Sequence, residues 1–220
     1  ETTGLRIVEP PHSGYPEYRV EAESFRSKIE QVKKETGKLP GLMMVTHADP
    51  YHGNLNPAKE VGNIAEEYDV PYMVNAAYTS GVMPVNMKDL NADFLTISAH
   101  KSMASLGPLG FLVTNHEWTK NAFQTSRILT DWSGRSFGKK IPNIFGCSVG
   151  GIPLISAMYS FPYVVERVKK WDQELENSRW FIHEMEGIGD VMLLGKRPHM
   201  HHLLHFETPI FWEISKYHKR

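Results

Sequence analysis

Residues 94–110 read FLTISAHKSMASLGPLG and decide the fold class of this 220-residue chain. An apolar run at 94–97 predicts a short buried strand, and residues 111–113 predict another after the intervening glycines and proline. The first strand ends in small and polar residues that present His100 and Lys101. The end of a buried strand is an unusual place for a solvated charge. Because a desolvated lysine amine attacks carbonyl carbons, Lys101 is a candidate catalytic residue.

Similar segments recur along the chain, with short apolar strands separated by amphipathic helices. The predicted strands cover residues 5–8, 42–46 and 72–74, and the predicted helices cover 22–36 and a segment that begins with Asn56 as cap and Pro57. This alternation predicts an α/β fold with a mainly parallel sheet sandwiched by helices. Ligands collect at the carboxyl ends of parallel strands, so we expect the polar residues that follow the strands to converge there: His47, Asn75 and Ser98.

The chain divides into three predicted parts. Residues 1–150 form a large domain, 151–187 form a long interdomain helix broken or kinked at Pro162, and 188–220 begin a smaller α+β domain. The sequence starts without methionine, in what looks like the end of a helix. We therefore expect it to be a piece of a longer protein.

Composition limits the function classes. The 24 Lys and Arg residues nearly cancel 25 Asp and Glu residues, so no overall basic field indicates nucleic acid, although a local basic patch is compatible with this balance. The single cysteine, Cys147, excludes an internal disulfide and fits a reducing compartment such as the cytoplasm. No apolar run approaches the ~18 residues of a membrane span.

Several stretches together resemble a known enzyme family. SAHKSMASLGPLG at residues 98–110 resembles the cofactor-lysine segment of fold type I pyridoxal phosphate enzymes. Three further regions are similar to the O-phosphoseryl-tRNA:cysteinyl-tRNA synthases within that group. These are DPYHGNL at 49–55, VNAAYTSGVMPV at 74–85, and FGCSVGGIP with SFPYVVERVKKWDQELENSR at 145–179. The resemblance covers essentially the whole chain.

The resemblance implies a role for individual residues. Lys101 would hold pyridoxal phosphate as a Schiff base and act as the base at the substrate α carbon. Ser98 and His100 would lie near the cofactor phosphate, Asn54 near the ring oxygen and Asn75 near the pyridine nitrogen. The last residue of the set, Cys147, matches a synthase cysteine implicated in sulfur transfer and would carry a persulfide or join an iron–sulfur cluster.

The implied reaction is a β-replacement: phosphate leaves O-phosphoserine on tRNA(Cys), and sulfur from a donor adds to the resulting dehydroalanine to give cysteinyl-tRNA(Cys). The implied partners are this tRNA, the phosphoseryl-tRNA synthetase that charges it, the sulfur donor and a second subunit in a homodimer. Two alternatives stay open. One is a cysteine desulfurase or selenocysteine lyase, and the other is a non-catalytic relative that binds tRNA or a synthetase.

Each residue also has a structural interpretation. Lys101 could be an exposed loop lysine, His100 a hydrogen-bonded strand-end histidine, Asn54 a turn residue, Asn75 a helix cap and Cys147 a small buried side chain. Tyr78 is expected to serve packing more than function.

Three further features are weighed separately. The histidines at 199, 201, 202 and 205 are closely spaced, but no cysteine or carboxylate joins them, so we predict no metal site. The basic loop with Arg135, Lys139 and Lys140 either contacts the tRNA backbone or is solvated. Gly150 occupies the position where the synthases are expected to carry an arginine, so an anion contact would be missing.

Overall fold

A four-stranded sheet forms the centre of the computed structural model, which describes residues 4–122 and 150–209. Its strands are β1 (Met43–Thr46), β2 (Tyr72–Asn75), β3 (Phe94–Ser98) and β4 (Gly110–Thr114), in the order β1-β2-β3-β4. The first three strands are parallel, and β4 pairs antiparallel with β3. The predicted, mainly parallel sheet is therefore confirmed. The carboxyl ends of β1, β2 and β3 lie at one edge.

Two amphipathic helices cover one part of this sheet. Helix α1 spans Ala22–Thr36 and α2 spans Ala58–Glu67. Apolar side chains from both helices are buried in one cluster with the side chains of β1 and β2. Helix α1 ends at Gly37, whose φ of 71° lies in the left-handed region that glycine adopts without steric cost. The predicted cap differs, because the Asn56 amide instead donates to the Thr46 carbonyl at the end of β1.

Short helices flank β4. Helix α3 (Ala99–Ser102) follows β3 directly, and α4 (His116–Ala122) follows β4. The α3 residue Ala99 is fully buried and its amide donates to the carbonyl of Leu109. This contact ties the turn that carries Lys101 to the start of β4.

The helical segment after residue 150 does not show the break that was one of the two expectations at Pro162. Helix α5 spans Gly151–Val168 with Pro162 inside it, and α6 spans Trp171–Glu186. The chain thus breaks at residues 169–170. Ala157 and Val164, on either side of the proline, are both buried against the α3 region, and this shared packing keeps α5 continuous. Beyond α6, β5 (Met192–Leu194) and β6 (His205–Glu207) form an antiparallel pair.

One predicted strand is absent from the described part of the chain. Residues 5–8 have no strand assignment, and Leu5 and Ile7 are largely exposed. The physical reason is that no strand among the described residues pairs with them. Separately, no helix in these ranges is long and apolar enough to cross a membrane.

Candidate active site

A cavity of about 540 Å³ opens at the carboxyl edge of the parallel strands. Thr46 at the end of β1, Asn75 at the end of β2 and Lys101 on α3 all line it. The loop after β1 and residues 9–20 form much of the rest of its wall, together with Phe25 of α1 and Tyr78 after β2. The convergence of strand ends that the sequence predicted therefore produces a concave site, the usual location for a ligand in such sheets.

Lys101 projects from α3 and is exposed. Its Nζ lies 3.6 Å from the centroid of the Tyr78 ring. The prediction that Lys101 is desolvated is therefore wrong. The turn after β3 carries its side chain out of the sheet and onto the face of the Tyr78 ring. The contact gives Tyr78 a role beside the amine that its sequence position alone did not indicate.

Asn75 has a fixed amide orientation. Its Oδ1 accepts hydrogen bonds from the backbone N–H of Ala77 at 3.1 Å and the hydroxyl of Thr96 at 3.4 Å. A backbone N–H can only donate, so the oxygen is identified by its partner. Among the described residues the Nδ2 group has no acceptor, which leaves two N–H donors for a ligand in the cavity.

Asn54 lies elsewhere. It is buried and lines a different cavity of about 350 Å³. Its Nδ2 donates to the carbonyls of Glu17 at 2.8 Å and Tyr18 at 3.2 Å, while its Oδ1 accepts from the backbone N–H of Lys196 at 2.6 Å. The structure thus does not bring Asn54 together with Lys101. Its amide instead joins the loop at 17–18 to the segment after β5.

Ser98 is the last residue of β3 and His100 lies in α3, on either side of buried Ala99. The ring Nδ1 of His100 accepts a long hydrogen bond, 3.5 Å, from the backbone N–H of Leu109. Neither residue lines the cavity that contains Lys101. Their contact with a cofactor phosphate stays a prediction. Cys147 and the basic loop at Arg135–Lys140 lie outside the described residues.

The loop after β1 contains an Asp–His pair that was not predicted from the sequence. Asp49 Oδ2 lies 2.9 Å from His52 Nδ1, and the His52 ring stacks on Tyr18 with centroids 3.9 Å apart and an angle of 16° between planes. All three side chains line the cavity of Lys101. The available signal was the spacing of Asp and His, three residues apart inside a turn-rich loop.

The C-terminal histidines are mostly buried. His199 and His201 are at most 5% exposed, and His201 and His202 stack at 4.6 Å. Burial lowers the pKa of His201 to about 3, and it also lowers the pKa of His47, which contacts Thr79, to about 4. Within residues 4–122 and 150–209, no group of three or more His, Cys, Asp or Glu side chains is arranged to hold a metal ion.

Comparison with family models decides the family. The aminotransferase class-V model matches residues 19–175, which is most of the chain. This range contains every residue that lines the cavity except Glu9, Pro10, His12 and Tyr18. The chain belongs to the aminotransferase class-V family. This membership agrees with the observed sheet and with the predicted fold type I architecture.

Relatives of this class-V chain narrow the comparison. O-phospho-L-seryl-tRNA:Cys-tRNA synthase 2 of Archaeoglobus fulgidus is 49% identical over 100% of this chain and 57% of its own length. The corresponding synthase of Methanocaldococcus jannaschii is 43% identical over 94% of this chain and 52% of its own. The chain therefore spans about half the length of the curated relatives it matches.

Solved structures give the same picture. A SepCysS–SepCysE N-terminal domain complex contains a chain with TM-score 0.85 and 41% identity, covering 98% of this chain and 56% of that one. A cysteine desulfurase from Thermococcus onnurineus NA1 has TM-score 0.69 at 22% identity, covering 94% of this chain and 53% of that one. The second similarity shows the fold alone.

Proposed function

We propose that the protein to which this chain belongs is a pyridoxal phosphate-dependent transferase that converts O-phosphoseryl-tRNA(Cys) into cysteinyl-tRNA(Cys). The observation that carries the proposal is one cavity lined by both Lys101 and Asn75, in a chain 49% identical to a synthase with this name. The finer elements are proposals too: a sulfur donor, a phosphoseryl-tRNA synthetase partner, a homodimer, a cytoplasmic location and a SepCysE-like partner.

The residues around the cavity fit pyridoxal phosphate. Lys101 provides the amine for covalent attachment, and the space of about 540 Å³ suits a ring of this size. Tyr78 presents an aromatic face beside that amine. When bound, pyridoxal phosphate supplies the electron sink that acidifies the substrate Cα–H bond. The Lys101 amine, once freed, is the group placed to remove that proton.

Asn75 sets the electronic character of this site. Its oxygen accepts hydrogen bonds from Ala77 and Thr96, so its Nδ2 group would face the pyridine nitrogen as an N–H donor. A donor favours an unprotonated ring nitrogen, whereas a carboxylate would favour a protonated one. We infer that the weaker sink suffices because phosphate is a good leaving group when it departs with a proton.

The predicted roles of Cys147 and Asn54 stay proposals, and they differ in what supports them. For Cys147, transfer of sulfur as a persulfide, or binding of an iron–sulfur cluster, rests on the resemblance. For Asn54, contact with the ring oxygen competes with the three backbone hydrogen bonds that already occupy its amide.

Turnover of the full-length protein tests the proposed reaction. Incubation with O-phosphoseryl-tRNA(Cys) and sulfide should release phosphate and form cysteinyl-tRNA, and Lys101→Ala should abolish both. Lys88→Ala, which removes an exposed lysine remote from the cavity, is the matched control. Release of alanine from free cysteine without tRNA-dependent turnover would place the protein with the desulfurases. If neither reaction occurs, the result would favour a non-catalytic binding protein.

A further inference from the structure

The Asp49–His52 pair can donate and accept protons, and the proposed function gives it no role so far. Asp49 is held rigidly, since Oδ1 accepts from the backbone N–H of Tyr51 at 2.9 Å and Oδ2 accepts from the backbone N–H of His52 at 3.0 Å. The same Oδ2 lies 2.9 Å from His52 Nδ1. The carboxylate is thus fixed by its own loop and in turn fixes the imidazole.

The contact determines which ring nitrogen of His52 is available. An ionised carboxylate only accepts hydrogen bonds, so Nδ1 carries the hydrogen that faces Asp49. The remaining nitrogen, Nε2, has no partner among the described residues, and His52 lines the cavity that contains Lys101. Stacking of the ring on Tyr18, with centroids 3.9 Å apart, prevents it from turning away.

Tyr18, on which the His52 ring stacks, is itself held in place by hydrogen bonds. The Asn54 amide donates to the carbonyls of residues 17 and 18, and the backbone N–H of Tyr18 donates to the Gly14 carbonyl at 2.8 Å. Tyr18 also has a φ of 49°, a left-handed conformation that costs a non-glycine residue free energy. The fold therefore holds this strained residue where its ring covers His52.

The reaction requires such a group. A phosphate monoester has a second pKa of about 6, so the substrate phosphate is mainly a dianion at neutral pH. Cleavage of its Cβ–O bond without a proton would release the trianion, which is a strong base and a poor leaving group. A positioned general acid removes this penalty and typically contributes about 10²–10⁴-fold in rate.

We propose that His52 is the catalytic acid that protonates the departing phosphate and the base that then activates the incoming sulfur. This inference rests on the proposed function. Lys101 takes the Cα proton, the C–H electron pair forms the second Cα–Cβ bond, and the Cβ–O pair leaves on oxygen. That oxygen takes the proton from His52 Nε2, so the product is hydrogen phosphate and His52 becomes neutral.

The second half of the reaction restores both groups. Hydrogen sulfide gives one proton to Nε2 while the electron pair of that S–H bond forms the Cβ–S bond, which leaves the thiol of cysteine. Cα takes back the proton held by Lys101. No oxidant or reductant is needed, because His52 regains the proton that it gave to phosphate and the Lys101 amine is free again. Asp49 stabilises the imidazolium in both halves and is a positioning residue.

His52→Asn in the full-length protein separates this role from simple packing. Asparagine retains an N–H for Asp49 but has no equivalent of Nε2. Phosphate release from O-phosphoseryl-tRNA should fall about 10²-fold or more.

The leaving group provides a sharper comparison. A β-chloroalanyl substrate releases chloride, which needs no proton, so His52→Asn should eliminate chloride at a rate close to wild type. His183→Asn is the matched control, because His183 is exposed on α6 and does not line the cavity. This variant should release phosphate normally.

Two readouts do not depend on turnover. Nitrogen-15 NMR of the protein without cofactor should find His52 protonated at Nδ1 when neutral, and Asp49→Asn should shift that tautomer. Borohydride should trap the cofactor on Lys101 equally in wild type and in His52→Asn. If the adduct forms and His52→Asn releases phosphate at the wild-type rate, Lys101 alone carries the proton and the inference is wrong. If wild type forms no adduct, the proposed function itself fails.

Discussion

Replacement of Asn54 with alanine tests whether this residue holds the structure together or holds a cofactor. The side chain is 4% exposed and makes three hydrogen bonds to backbone groups of the segments at 17–18 and at Lys196. A typical intramolecular hydrogen bond contributes about 1 kcal/mol net to folding. We therefore expect Asn54→Ala to lower the free energy of unfolding by about 3 kcal/mol.

Thermal unfolding of the full-length protein measures this loss. For a domain of 150–250 residues, each kcal/mol lowers the Tm by about 2–4 °C, so the expected decrease is about 6–12 °C. Asn63→Ala is the matched control, because Asn63 accepts a hydrogen bond from Asn91 at an exposed position and its loss should change the Tm little. Cofactor affinity is measured in parallel. An unchanged Tm with much weaker pyridoxal phosphate binding would refute the structural role and support contact with the ring oxygen.

Three further changes have expected outcomes of different kinds. Gly62→Ala should lower the unfolding midpoint in urea, since its Cβ would lie 2.0 Å from the Leu90 carbonyl oxygen, whereas Gly41→Ala enters open space and should be tolerated; equal midpoints would contradict this packing. Burial lowers the pKa of His47 to about 4, so its burial costs nothing in ionisation above pH ~6.5, and it should contribute a loss of stability of about 1.4 kcal/mol per pH unit as the pH falls from 6.5 to 4. A slope unchanged by His47→Gln would exclude this residue as its source. Asn75→Asp should change the absorption spectrum of the bound cofactor and the rate of phosphate release, and unaltered values would count against its contact with the ring nitrogen.

The strands and their common edge could be predicted because the signal is local. Apolar segments such as those at Met43–Thr46 and Phe94–Ser98 need two covered faces, and intervening helical periodicity indicates parallel connections. Polar residues after such strands then meet at one edge whatever the details of packing. Lys101 and Asn75 were therefore placed in one cavity from the sequence.

Other features depend on contacts that no local pattern contains. Helix α5 continues through Pro162 because Ala157 and Val164 pack on the same distant cluster. The Asn54 amide oxygen accepts a hydrogen bond from the backbone N–H of Lys196, which is 142 residues away. Lys101 is exposed because α3 turns it out of the sheet. Each of these is a tertiary effect that overrides what the neighbouring residues indicate.

The pairing of Asp49 and His52 was in principle accessible, since both residues lie in one loop. Its meaning became visible only with Tyr18, which comes from a different segment and covers the imidazole. Stacking of this kind requires the fold, and it is what distinguishes an oriented acid–base group from an ordinary surface ion pair.

The most direct measurement is the location of the cofactor. Full-length protein is incubated with pyridoxal phosphate, reduced with borohydride, digested and analysed by mass spectrometry. We expect a phosphopyridoxyl group on Lys101 and none on the protein with Lys101→Ala. Modification of a different lysine, or of none, would contradict the assignment of this cavity as the active site.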